Sequence, residues 1–223
     1  MSTGIISPEL ADILYRSRNT LLNILQEKGY DIKPYEKFGP WEIEAMYVNE
    51  KKNALGMNLH KIDSKDTIQN CLVIYRLNRL KQSIATFVAQ FVEEGSDVYI
   101  SDPESTEVFV ILDEPVNNVE VFNTDALKCL YEKKLRIYFF QAHSLVNNPQ
   151  DHVLVPKHSL VSKDEIPELK KKLNIQSISN LPFIRFHQDI QSRLLGAIPG
   201  DVIKIVRPSP SSGEETIYRV CVP

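Results

Sequence analysis

The strongest constraint on the fold lies at the C-terminal end, where two apolar stretches flank a polar one. The stretches read DVIKIVR (201–207) and TIYRVCV (216–222), and PSPSSGEE separates them. Short runs rich in Val and Ile, bounded by Gly, Pro and Ser, are typical of β-strands joined by a turn. The sequence therefore predicts a terminal β-hairpin whose polar loop spans residues 208–215.

The N-terminal part begins with a helix signal. Ser7 is followed by Pro8 and an acid, a pattern typical of an N-cap and a first helical turn. Apolar residues then recur at helical spacing until Gly29, which is expected to end the helix. Arg16 and Arg18 lie off this apolar stripe, so we expect both on the solvated face.

Helical and strand-like segments then alternate up to about residue 142. Further helices are predicted after Pro40, over 78–93, and from a cap at Asn123 or Thr124 to Tyr131, with Trp41 partly buried. Strands are predicted at 54–62, 71–77, 107–113 and 135–141. Such alternation favours an α/β fold with a mixed sheet and flanking helices. The polar segment 143–153 is predicted to be a linker between domains 1–142 and 154–223.

The second predicted domain is small and of the α+β class. Ser162 and Glu165 fit a capping box, and we expect the helix after it to run to about Leu173, shortened or kinked by Pro167. An extended segment at 180–186 and a short helix at 189–196 precede the hairpin. Gly196, Gly200 and Gly213 are expected at turns that need a positive φ.

Charge and composition exclude several classes of function. Residues 1–153 carry sixteen Lys and Arg against twenty-two Asp and Glu, whereas 154–223 carry ten against seven. A dedicated nucleic-acid binder is normally basic over its binding domain, so tight independent DNA binding is not expected. No secretory signal and no apolar run of ~20 residues is present, so no membrane association is expected. The three cysteines stand in separate apolar runs, which favours buried thiols over a metal site.

No catalytic motif is recognisable, and no cofactor or small-molecule substrate is expected. Asp102, Glu107 and Asp113 suggest a metal-dependent nuclease as one alternative, but the positioned Lys of such sites is missing. Arg76, Arg79 and Lys81 form the most basic stretch of the first domain and are candidates for contact with a DNA backbone. The simpler alternative is a solvated turn between a strand and a helix.

The C-terminal third carries a family resemblance. The segments LVPKHSLVSKDE (154–165) and LPFIRFHQDIQSRLLGAIPGDVIKIVRPS (181–209) resemble the C-terminal assembly domain of the fifth common subunit of eukaryotic RNA polymerases, which has a short archaeal counterpart. The segment NILQEKGYDI (23–32) also looks like the helix end near the start of that family. Two departures are visible, because Ile190 replaces the proline after Asp189 and the loop 208–215 is less basic.

The resemblance implies a non-catalytic polymerase subunit with an α/β jaw domain and an assembly domain. The assembly domain would bind the largest subunit, and the jaw would lie near downstream duplex DNA, contacting it weakly. The hairpin has apolar residues on both faces, so we expect a large partner to cover it. The implied interface residues are Pro156, His158, Asp189, Gly196, Gly200, Asp201, Val202, Lys204, Ile205, Arg207, Tyr218 and Arg219.

The resemblance also implies a cellular location and leaves alternatives. A common polymerase subunit works with the rest of the core polymerase in the nucleus. If the chain were viral, a virion or a cytoplasmic viral factory would be expected instead. A free-standing DNA-binding regulator with a borrowed assembly domain is the alternative function, and the acidic first domain counts against it.

Overall fold

The computed structural model describes residues 7–48, 54–62, 67–77, 84–113, 119–186 and 188–223. The chain divides into two compact units, Met1–Asn148 and Pro149–Pro223. The predicted linker interval 143–153 is not featureless, because Ala142–Leu145 forms a 3-10 helix that contacts the first α-helix. The secondary structure is of the mixed α/β type in each unit.

Helices of the first unit are α1 (Pro8–Glu27), α2 (Pro40–Val48), α3 (Ile84–Ala89) and α4 (Val119–Lys133). The predicted start of α1 is confirmed, since the Ser7 hydroxyl accepts the Leu10 backbone N–H at 3.2 Å. Gly29 has a φ of +90°, which lets the chain reverse after the helix.

The predicted start of α4 is wrong. Asn123 and Thr124 lie inside the helix, which begins at Val119. Phe122 is fully buried, with its ring centroid 5.3 Å from that of Phe139. Burial of an aromatic ring outweighs the modest preference of Asn and Thr for a cap, and the helix therefore extends to include Phe122.

The sheet of the first unit has the order β1-β2-β3-β4 among the described residues. Its strands are β1 (Met57–His60), β2 (Asn70–Arg76), β3 (Thr106–Leu112) and β4 (Arg136–Gln141). β1 is antiparallel to β2, while β2, β3 and β4 are parallel to one another. Every residue of the central strand β3 is buried, as expected for a parallel strand with cover on both faces.

The second unit contains a second mixed sheet. Its strands are β5 (Lys157–Leu160), β6 (Phe183–Arg185), β7 (Val202–Ser209) and β8 (Gly213–Val222), in the order β5-β7-β8-β6. The helices are α5 (Ile166–Leu173) and α6 (Ile190–Leu195). A 3-10 helix, Lys163–Glu165, precedes α5 and places Pro167 in its first turn, where proline is tolerated. The helix is short, as expected, and the proline falls at its start.

The expectation that the hairpin needs a partner to cover both faces is wrong. Val202 packs with Leu169 of α5 and with Leu181, and it is 1% exposed. On the opposite face, Ile203 and Ile205 are 0% and 5% exposed. The chain therefore buries both faces of β7 at its inner end by itself.

In the described part of the chain, no helix has both the length and the apolar character needed to cross a bilayer.

Candidate partner interface

The outer half of the hairpin is solvent-exposed and longer than predicted. β7 and β8 pair up to Ser209 opposite Gly213, so the turn is confined to Pro210, Ser211 and Ser212. Arg207 donates from Nε to Glu215 Oε2 at 2.9 Å across the strands, and its Nη2 lies 2.8 Å from the same oxygen. Cross-strand pairs of opposite charge stabilise such a ladder, which explains why most of the polar loop 208–215 is strand.

The predicted interface residues fall into two sets. Three contribute little surface of their own, because Gly196, Val202 and Ile205 are buried. The others are half-buried or exposed: Pro156, His158, Asp189, Gly200, Asp201, Lys204, Arg207, Tyr218 and Arg219. The first set therefore lies inside the unit, and only the second set is accessible to another protein.

Two of the accessible acids hold turns in place. Asp189 is the N-cap of α6, and its Oδ1 accepts the Ser192 backbone N–H at 2.9 Å. Asp201 Oδ2 accepts the Ile198 backbone N–H at 2.9 Å and so closes the turn that leads into β7. These bonds satisfy backbone donors that secondary structure leaves free, so both carboxylates organise the surface locally.

Polar residues on the strands of this sheet are also engaged locally. His158 Nδ1 donates to the Pro156 carbonyl at 2.6 Å, since a carbonyl oxygen can only accept. Arg219 donates from Nη1 to the Phe183 carbonyl at 2.8 Å, which ties β8 to the edge strand β6. Lys204 lies directly opposite Tyr218, with Ser159 on its other side.

Several apolar side chains of this unit are exposed, which the sequence pattern does not predict. Val153 and Leu154, just before β5, are 91% and 82% exposed, and Phe183 on β6 is 59% exposed. Val153 and Leu154 thus lie beside one edge of the sheet and Phe183 on the opposite edge strand, where another protein could cover either edge. Leu154 opens the LVPKH motif, so the resemblance held a signal for it. Phe183 follows Leu181 and Pro182 in an extended segment that was predicted without regard to which face it exposes.

The shifted ionisable groups near the hairpin keep their ordinary charge states at neutral pH. Burial raises the pKa of the Cys221 thiol to about 12, with further increases from Asp201 and Asp189. Burial lowers the pKa of Arg193 in α6 to about 10, and the nearby Asp189 opposes that shift. At neutral pH the Cys221 thiol is therefore protonated and the Arg193 guanidinium is charged. A nucleophilic cysteine would instead need a lowered pKa, because the thiolate is the reactive form.

Arg76 is the described member of the predicted DNA-proximal stretch. Its guanidinium carbon lies 4.9 Å from the ring centroid of Phe87, at the rim of an open depression of about 700 Å³. His60, Asp97 and Asp102 also line this depression, which gives it mixed charge. Arg79 and Lys81 lie outside the described residues.

The acids of the nuclease alternative do not form a shared site. Glu107 is 2% exposed and is bonded to Lys28 Nζ at 2.7 Å and Tyr30 Oη at 2.8 Å. Asp102 accepts a hydrogen bond from Ser105 in an exposed loop. Among the residues that the structure describes, no three His, Cys, Asp or Glu side chains cluster as metal ligands would. Glu107 therefore has a structural explanation.

Comparison with known proteins agrees with the resemblance in the C-terminal segment. A family model described as "RNA polymerase Rpb5, C-terminal domain" matches residues 147–221. An Archaeoglobus fulgidus protein, "DNA-directed RNA polymerase subunit Rpo5", is 47% identical over 73 residues, which cover 33% of this chain and 93% of that protein. Its Methanocaldococcus jannaschii namesake is 42% identical over 72 residues, 32% of this chain and 90% of that protein.

One relative aligns with both units. The Dictyostelium discoideum protein "DNA-directed RNA polymerases I, II, and III subunit rpabc1" is 29% identical over 210 residues, covering 94% of this chain and 97% of that protein. The archaeal proteins thus match about a third of this chain over most of their own length, and the eukaryotic protein matches nearly the whole chain. The predicted resemblance is confirmed: the chain belongs to the Rpb5 family of DNA-directed RNA polymerase subunits, which includes the archaeal subunits named Rpo5.

Proposed function

We propose that this chain is a non-catalytic subunit of a multisubunit DNA-directed RNA polymerase and works in the nucleus. Relatives that align with the second unit alone and with the whole chain are both named as subunits of such polymerases. The described residues contain no cluster of metal-ligand side chains, and Glu107 and Asp102 have local hydrogen-bond partners. Its contribution to transcription is therefore assembly and positioning within the complex.

The second unit is proposed as the assembly domain, over residues 154–223, that anchors the chain on the largest subunit. The supporting observation is that apolar side chains are exposed at both edges of the sheet, with Val153 and Leu154 just before β5 and Phe183 on β6. Archaeal relatives consist of little more than this unit and still carry the polymerase subunit name. Anchoring thus needs only the part of the chain that they share.

The first unit is proposed as a jaw, over residues 1–142, that lies near downstream duplex DNA, with 143–153 as the connection. Arg76 is exposed and, with Arg79 and Lys81, would supply phosphate contacts. The excess of acids over bases in residues 1–153 makes this contact weak. Replacing the three basic residues by Ala should reduce the salt dependence of the affinity of the assembled polymerase for duplex DNA. An unchanged dependence would contradict this placement.

The anchoring proposal is tested with surface variants of the full chain. Leu154→Asp and Phe183→Asp, alone and combined, are tagged and expressed in the source cells, and the co-purified catalytic subunits are quantified. The combined variant should lose at least about tenfold of its bound polymerase, because a charge placed in an apolar contact is desolvated without a partner. Tyr131→Asp is the matched control, since Tyr131 is 58% exposed on the first unit. Equal recovery with the combined variant and the control would refute the anchoring.

A further inference from the structure

Trp41 is the only tryptophan in the sequence, and it is 83% exposed on α2. The sequence analysis predicted partial burial, which is wrong. Ala45, one turn later on the same helix, is exposed as well, whereas Ile43 on the inner face is 0% exposed. A helix with apolar residues on its outer face is typical of a helix whose second face is covered by another molecule.

The start of α2 holds Trp41 in a fixed position. Glu42 Oε2 accepts the Gly39 backbone N–H at 2.5 Å, and the Gly39 carbonyl accepts the Ile43 N–H at 3.1 Å. The side chain of Glu42 thus reaches back to the residue before the helix, as in a capping box, and Pro40 fixes φ between them. An aromatic side chain on such a rigid support loses little entropy on binding.

Arg18 of α1 contacts the segment that leads into α2. It was predicted to be solvated, but it is 2% exposed and donates from Nη1 to the Leu55 carbonyl at 2.5 Å. Its guanidinium carbon lies 5.9 Å from the ring centroid of Tyr35 and 5.8 Å from that of Phe38. These cation–π contacts hold the segment that leads into α2 against α1. The two wrong predictions, at Arg18 and Trp41, thus fall in one region.

Charge indicates which class of molecule this surface fits. Glu42 and Glu44 follow Trp41 in α2, which contains no Lys or Arg, and residues 31–48 carry four acids against Lys33 and Lys37. Residues 1–153 as a whole carry an excess of six acids over bases. Phosphate backbones are repelled by such a surface, whereas a basic polypeptide is attracted to it.

We propose that the outer face of α2, defined by Trp41, Ala45 and the carboxylates of Glu42 and Glu44, is a docking surface for a basic protein segment that offers an apolar pocket to the indole. Tryptophan is among the residues that contribute most at the centre of such contacts. This surface lies on the first unit and is independent of the anchoring proposed for the second. Its test can therefore fail while that proposal stands.

The experiment uses the full chain and two labelled amphipathic helical peptides of matched pattern, one of leucine and lysine and one of leucine and glutamate. Binding is measured by fluorescence anisotropy, and Trp41 emission is followed separately. The lysine peptide should bind with a blue shift of Trp41 emission, and Trp41→Ala should weaken binding about tenfold or more. Trp41→Phe should retain part of the affinity, and Tyr131→Ala, which removes another exposed aromatic side chain from the same unit, should not change it.

Three results would overturn the proposal. The first is unchanged affinity of the lysine peptide for Trp41→Ala, with circular dichroism showing that the variant is folded. The second is equal affinity for the glutamate peptide, which would remove the charge argument. The third is quenching of Trp41 by a single-stranded oligonucleotide at lower concentrations than the peptide requires, which would indicate stacking of bases.

Discussion

Glu107 is the buried centre of a polar network in the first unit, and its replacement gives a sharp test of the fold. It lies on β3 opposite Cys71 of β2 and is 2% exposed. Its Oε1 accepts from Lys28 Nζ at 2.7 Å and from the Tyr30 hydroxyl at 2.8 Å. Both donors come from the end of α1 and the turn after it, so the network fastens α1 to the central strand.

The expected cost of Glu107→Ala follows from what the substitution leaves behind. The Lys28 side chain is only 19% exposed and would lose its counter-charge. Tyr30 is 2% exposed, and its hydroxyl would lose its acceptor. Breaking a buried ion pair by removing one partner lowers the free energy of unfolding by roughly 3–5 kcal/mol. We count most of the cost of the lost Tyr30 hydrogen bond within that figure. Glu107→Gln keeps an acceptor for both donors, so about 1–2 kcal/mol is expected.

The assay uses the cysteines as reporters of each unit. Cys71 and Cys129 lie in the first unit and Cys221 in the second, and all three are buried free thiols. Pulse labelling along a urea series, with each cysteine peptide quantified by mass spectrometry, gives an opening free energy for each unit. Glu107→Ala should lower this energy at Cys71 and Cys129 and leave it unchanged at Cys221. No decrease at Cys71, or an equal decrease at Cys221, would refute the reasoning.

Three further predictions use the same readouts. Gly200→Ala should destabilise the second unit by about 1–2 kcal/mol at Cys221, because φ at this position is +100°; unchanged protection would contradict it. Asp189→Ala should cost about 1 kcal/mol through loss of the α6 cap, and Asp189→Asn should restore most of it, whereas equal losses would argue against capping. The pKa values of Cys129 and Cys221 are raised from 9.0 to about 11 and about 12, so their contribution to stability is complete below about pH 9 and is lost as pH rises through those values. Cys221→Ala removes the thiol label of the second unit, so this variant is followed by circular dichroism along the urea series; its alkaline loss of stability should be shallower by up to about 1.4 kcal/mol per pH unit, and identical slopes would exclude this cause.

Local patterns in the sequence predicted the elements whose stability is itself local. The Ser7-Pro8 signal gave the start of α1, because a cap is formed by residues a few positions apart. The apolar run at 107–113 predicted β3, because a strand buried on both faces is apolar along its length and does not alternate with polar residues. The terminal hairpin was predictable as well, because its two strands are neighbours in sequence and a polar turn separates them.

The errors arose where distant residues decide the outcome. Arg18 is buried because a carbonyl at Leu55 and the rings of Tyr35 and Phe38 surround it, and helical periodicity carries no information about them. One face of the hairpin is covered at Val202 by Leu169 of α5 and by Leu181, which a count of apolar residues in β7 could not show. Val153 and Phe183 went unnoticed because apolar residues were assumed to be buried, although another protein can cover them.

The central claim, that this chain is a subunit of a multisubunit RNA polymerase, is tested most directly by its stoichiometry in native complexes. The unaltered full chain would be tagged in the source cells, purified at moderate salt and analysed by quantitative mass spectrometry. If the chain is such a subunit, the two largest polymerase subunits will be recovered in amounts equimolar with the tagged chain. Recovery of the chain without those subunits, at any salt concentration that preserves the polymerase, would contradict it.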